Sequence, residues 1–219
     1  MLATLAFVKE NLNYIHRNST SIRHLVEKVD LTSVVGKSLA IKSQLMKSSK
    51  PVEILLGDVI ETYNPYSGEK IYLREDLAKP TLMYEYGEFK PVETVQAPRT
   101  YFVPPTLTTV IDRLRAHGVW FEELTGPREL QLEKFRIDST QVSTSIFQGR
   151  REQSLEGKYE PVIAILEPGT LVVPVDQKLG RLIFYLLEPQ SDDGLANWAF
   201  FDDVLKTSKH YPILREPAD

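Results

Sequence analysis

Four histidines and no cysteine limit the metal and nucleophile chemistry open to this 219-residue chain. Without thiols there is no cysteine nucleophile, no disulfide and no thiolate-held metal. A hydrolytic zinc site takes three converging protein ligands and leaves one position for water. Of His16, His24, His117 and His210, only His24 has an acid three residues later, so that His24-Leu25-Val26-Glu27 spells His-x-x-Glu. The pair falls on a predicted amphipathic helix at i and i+3. There it reads as a solvated polar pair contributing ~0.2–0.5 kcal/mol, and no third ligand follows. The expectation is that no residue of the chain is catalytic or binds metal.

Other short matches fail on spacing. Val34-Val35-Gly36-Lys37-Ser38 resembles the end of a phosphate-binding loop, but the glycine required five residues before Gly36 is Leu31, so the backbone nest is not formed. Glu122-Glu123, Asp192-Asp193 and Asp202-Asp203 are adjacent acids. Adjacent side chains do not face each other on a helix or a strand, so no pair by itself builds a two-carboxylate hydrolytic site. Asp192-Asp193 fits the start of a helix, where negative charge is favourable. No G-x-S-x-G elbow supplies a serine nucleophile. Asn18-Ser19-Thr20 matches a glycosylation sequon but reads more simply as a helix junction. Tyr84, Tyr86 and Phe89 cluster around Gly87. They are the weak candidates for a stacking platform, against the commoner role of strand aromatics as half-buried cross-strand partners.

Composition narrows the function classes further. A net charge of −4 without a Lys/Arg cluster argues against a nucleic-acid partner, since that affinity rests on concentrated cations. No run approaches the ~20 apolar residues of a membrane helix. The apolar start, MLATLAFV, has no basic residue before it and ends at Lys9-Glu10, so no signal peptide is expected. The chain reads as soluble.

The elements that must position any site follow from apolar spacing. Leu5, Val8, Leu12 and Ile15, then Ile22, Leu25, Val26 and Val29, recur at threes and fours and predict two helices within residues 2–30. The face of the first has no evident partner and is a candidate interface. Strands are expected from about 38 to 98, with one run over 51–63, a turn at Asn64-Pro65-Tyr66-Ser67-Gly68 and a return at 70–73. A strand at 101–103, a helix carrying Leu107, Val110, Ile111 and Leu114 and capped by Gly118, and an extended run at 119–121 make a strand–helix–strand unit. Residues 128–175 return to strands. Leu130, Leu132, Phe135 and Ile137 shift phase at Lys134, as a bulge would, and Glu167-Pro168-Gly169 reads as the turn of an apolar hairpin. Helices are expected at 176–187 and 192–206, then a loose polar tail. The fold class is therefore α+β: a mostly antiparallel β-rich domain with an N-terminal helical segment, one central short helix and two C-terminal helices.

Several segments carry a family resemblance. Gly169-Thr170-Leu171-Val172-Val173-Pro174 and Leu186-Leu187-Glu188-Pro189-Gln190-Ser191-Asp192-Asp193-Gly194-Leu195 resemble the end of large bacterial zinc-dependent metallocarboxypeptidases, the carboxypeptidase A-like family. The likeness extends to the opening helix, to Pro51-Val52-Glu53-Ile54-Leu55-Leu56-Gly57, to Arg99-Thr100-Tyr101-Phe102-Val103-Pro104, and to Arg115-Ala116-His117-Gly118-Val119. It implies that residues 1–37 resemble the end of a carboxypeptidase catalytic domain and that 38–219 form an α+β accessory domain. It also implies a parent that trims C-terminal residues from peptides. Its zinc, its two ligand motifs, its general base and its substrate-binding Arg and Asn all lie before Leu2. The chain alone is then expected to be inactive, with a catalytic domain in cis as its partner through Leu5, Val8, Leu12 and Ile15. The alternative is an independent binding module for a peptide, a glycan or a cell-envelope component.

Overall fold

The apolar periodicity of the first 30 residues forms two helices in the computed structural model, which describes residues 2–75 and 77–218: α1 (Leu2–Arg17) and α2 (Ser19–Asp30). Asn18 ends the first but does not cap the second. Its side-chain amide turns back to donate to the Tyr14 carbonyl at 2.8 Å, leaving α2 without a side-chain cap. The strands and helices that follow are β1 (Ser38–Lys47), β2 (Val52–Leu56), β3 (Val59–Tyr63), β4 (Lys70–Arg74), β5 (Lys79–Met83), β6 (Tyr86–Gln96), β7 (Thr100–Val103), α3 (Thr108–Ala116), β8 (Glu122–Glu123), β9 (Arg128–Val142), β10 (Gln153–Leu166), β11 (Leu171–Pro174), α4 (Gly180–Leu187), α5 (Asp202–Leu205) and β12 (His210–Glu216). The architecture is the expected α+β, and its registered strand pairs are antiparallel.

Two compact units make up the chain. One comprises residues 43–92, in which β2 pairs with β5 and β3 with β4. The single strand expected over 51–63 is split there by Gly57-Asp58 into β2 and β3. None of this unit's described residues is buried. The other unit runs up to Lys42 and resumes at Glu93. Its centre is a six-stranded sheet in the order β10-β9-β12-β7-β11-β8.

Strand alternation gives this sheet two apolar faces. Tyr101, Val103, Leu171, Val173, Tyr211 and Ile213 point into the main core, together with Val110, Ile111 and Leu114 of α3 and Ile183, Phe184 and Leu187 of α4. Phe102, Leu132 and Leu166 form a smaller cluster, joined by Leu130, Val172 and Leu214. The same rule explains the phase shift expected on β9. Leu130 and Leu132 serve the small cluster while Phe135 and Ile137 serve the main core. The phase shift at Lys134 is a change of buried face: the β9–β10 ladder is regular there, while the β9–β12 ladder breaks register beside it, between His210 and Leu214. A second irregularity lies further on, between Glu156 and Gly157, where β9 contributes one extra residue. At that position the backbones approach closely: a Cβ on Gly157 would lie 2.0 Å from the Arg136 carbonyl oxygen and 2.8 Å from the Phe135 ring. Gly157→Ala is expected to lower stability by about 2 kcal/mol or more, read as a shift in the urea midpoint at unchanged slope.

Four further expectations are corrected. The Glu167-Pro168-Gly169 turn does not close a hairpin, because β11 pairs with β7 and β8 on the far side of the sheet from β10. The extended run predicted at 119–121 becomes β8, two residues at 122–123. The tail is not loose: residues 210–216 are β12, between β9 and β7, with Tyr211 and Ile213 buried. The Phe201 ring meets Tyr211 edge-on at 4.8 Å, tying the start of α5 to that strand. The second C-terminal helix is only Asp202–Leu205, because Ala199 takes a φ of 63°, which a right-handed helix cannot contain.

Candidate functional site

Among the described residues, Glu188 is the one acid buried in the main unit, with 1% of its surface exposed. It follows α4 directly and takes extended backbone geometry, as expected before Pro189. Three hydrogen bonds reach its two oxygens. Oε1 accepts the Tyr101 hydroxyl at 2.5 Å and Nη1 of Arg215 at 3.0 Å, and Oε2 accepts the Tyr159 hydroxyl at 3.1 Å. Nε of Arg215 donates to Glu133 at 2.9 Å, and the guanidinium lies 3.3 Å from the centre of the Tyr159 ring. One arginine thus bridges two carboxylates and stacks on a phenol whose hydroxyl serves the same acid. The donors come from β7, β10 and β12, and the second acid from β9.

Burial pushes the Tyr101 and Tyr159 hydroxyls well above their usual range, and the Glu188 charge adds to the effect. Both therefore stay neutral and donate. Burial also raises the Glu188 carboxyl above 4.5, against the opposing pull of Arg215 and the phenols. With both oxygens bonded to donors from three strands, the cluster fastens the end of α4 to the sheet. A carboxyl raised in the fold contributes stability that is complete below its unfolded pKa and lost as pH rises through the folded one. Glu188→Gln should therefore flatten the decline in stability from about pH 4.5 upward. Urea midpoints of the two proteins at pH 4 to 7 check this, and parallel curves would contradict it.

The residues singled out in the sequence lie elsewhere. His24 and Glu27 are exposed on α2. Among the described residues no group of three His, Asp or Glu side chains converges as a cation site. Leu5, Val8, Leu12 and Ile15 are all exposed, Leu5 at 64% and Leu12 at 62%, and α1 buries no residue at all. Tyr84, Tyr86 and Phe89 are exposed as well. Tyr86 and Phe89 are three apart on β6 and project to opposite faces, while Lys47 sits 3.8 Å over the Tyr84 ring. Among the described residues, no helix is long and apolar enough to cross a membrane.

Sequence reasoning missed a groove in the main unit, about 770 Å³ in volume, between α2, the start of β1 and α4. Val34, Leu39 and Phe184 are buried at its floor, and Leu25 and Val29 of α2 form an exposed apolar wall. Lys28, Lys37, Lys178 and Arg181 line it, with no acid among the described lining residues. The periodicity of α2 was legible, but not that its apolar side is left facing an opening.

Comparison with known proteins gives a partial match. The chain is similar to Carboxypeptidase 2 of Trichophyton rubrum, at 29% identity over 126 residues, which is 58% of this chain and 23% of that protein. It is also similar to Carboxypeptidase 2 of Trichophyton tonsurans and of Trichophyton equinum, each at 27% identity over 124 residues, again 23% of the relative. The matched stretch is thus under a quarter of the length of these relatives, and they are fungal. No known family model matches the chain, and no solved structure does.

Proposed function

We propose that the chain is the accessory, non-catalytic part of a larger carboxypeptidase-like protein whose catalytic domain binds zinc and removes C-terminal residues from peptides. The observation that carries this reading is the alignment with Carboxypeptidase 2, confined to less than a quarter of those proteins. The unburied α1 supports it. An amphipathic helix needs a surface to cover its apolar stripe, and α1 leaves Leu5, Val8, Leu12 and Ile15 in solvent.

In this reading residues 1–37 belong to the end of the catalytic domain and 38–219 form the accessory domain. The α1 stripe docks on the catalytic domain in cis. No step of peptide cleavage is assigned to residues of this chain, because its acids and histidines do not converge on a cation site among the described residues.

The test is release of the C-terminal residue from a blocked peptide, with added zinc, by this chain alone and by a longer polypeptide that includes the catalytic region. Turnover is expected only in the longer protein. Zinc-dependent release by the 219-residue chain, lost in His24→Ala or Glu27→Ala, would overturn the assignment.

A further inference from the structure

We propose that the groove between α2, β1 and α4 is a binding site for a single-headed anionic amphiphile: an alkyl chain ending in a carboxylate, of the fatty-acid class. The inference stands apart from the carboxypeptidase reading. Two observations meet at the groove. Its floor and α2 wall are apolar, and Leu25, at 63% exposure, is held open to solvent there rather than packed away. Its rim is cationic in a chain whose net charge is −4.

The rim charge is largely uncompensated. Lys178 pairs with Asp30 at 2.8 Å, but among the described residues no ion pair engages Lys28, Lys37 or Arg181. The two carboxylates bonded to lining residues are already engaged, Asp30 by Lys178 and Asp192 by the Tyr185 hydroxyl. A ligand carboxylate at the rim would find cations without having to displace an acid, while its chain lies along Leu25, Val29 and Phe184. The scale of the concavity also argues for a small ligand. Ligand pockets span roughly 300–1,000 Å³, whereas a folded partner needs about 800 Å² of mating surface on each side.

Isothermal titration of the purified chain tests this with dodecanoate below its micelle concentration. Dodecyltrimethylammonium and acetyl-Leu-Leu-Phe with a free carboxylate serve as the cationic and the peptide arms. Saturable one-to-one binding of dodecanoate is expected, with none of the cation and weaker binding of the peptide. Arg181→Glu, Lys37→Glu and Leu25→Asp change exposed side chains and are expected to leave circular dichroism unchanged. Each should weaken dodecanoate binding about tenfold or more, and Arg181→Lys should restore most of it. Absence of saturable binding, equal binding of the cation, or indifference to both charge reversals overturns the site. Tighter binding of the peptide than of dodecanoate overturns the ligand class.

Discussion

Arg215→Ala is expected to destabilise the protein by about 3–5 kcal/mol, the cost of breaking a buried ion pair from one side. Among the described residues the guanidinium is the one cation bonded to Glu188, and its removal leaves that carboxylate enclosed with two phenols to satisfy it. Glu133, at the edge of the cluster, loses its partner as well but can turn to water, so most of the loss belongs to Glu188. The double variant Glu188→Gln/Arg215→Met removes both charges and should recover much of the difference, since replacing a buried pair by uncharged groups of similar volume is often neutral. Urea unfolding of the three proteins at pH 7 decides the matter. A loss below about 1 kcal/mol for Arg215→Ala would mean that Glu188 is already protonated in the fold and that the pair is a neutral hydrogen bond.

The second large effect concerns α1. In the 219-residue chain Leu5→Ser/Leu12→Ser should shift stability by no more than about 0.5 kcal/mol, because neither side chain is buried. In a longer polypeptide carrying the catalytic region, the same double change should cost about 4 kcal/mol or more, at ~2–5 kcal/mol for each buried leucine truncated. It should also lower the fraction of the two regions that stay associated after limited proteolysis of the junction. Small and equal effects in both proteins would remove the docking argument and leave α1 without a role in the proposed assembly.

Local periodicity was legible wherever neighbours in sequence are neighbours in space. The helices α1, α2 and α3, the β3–β4 turn and the positive φ of Gly118, 73°, all follow from residue spacing and turn chemistry. Pairing over distance was not. The sequence run 161–173 looks like a hairpin because two apolar stretches flank a turn, yet its halves serve opposite regions of one sheet. Strand β12 escaped notice because Pro212 interrupts its ladder, which jumps from His210 to Leu214 against β9, and because polar residues flank it. The buried cluster was half visible. Glu188 stands out at the end of the apolar run Leu186-Leu187 and lies in one of the segments that carry the family resemblance. Nothing in the sequence points from it to Arg215, whose relevance depends on β12 being in the sheet. The metal-like motif at His24 was visible and had a bland explanation, which its exposure on α2 matches.

The latest strand in chain order occupies a middle position in the sheet. Until residues 210–216 are available, the β9–β10 ribbon and the β7–β11–β8 group share no ladder, and Glu188 has no cation to meet it. Each half is an open edge in the meantime, with backbone groups ready to pair with other chains. Synthesis from the amino end therefore leaves an aggregation-prone interval that closes only when this last segment threads between its neighbours.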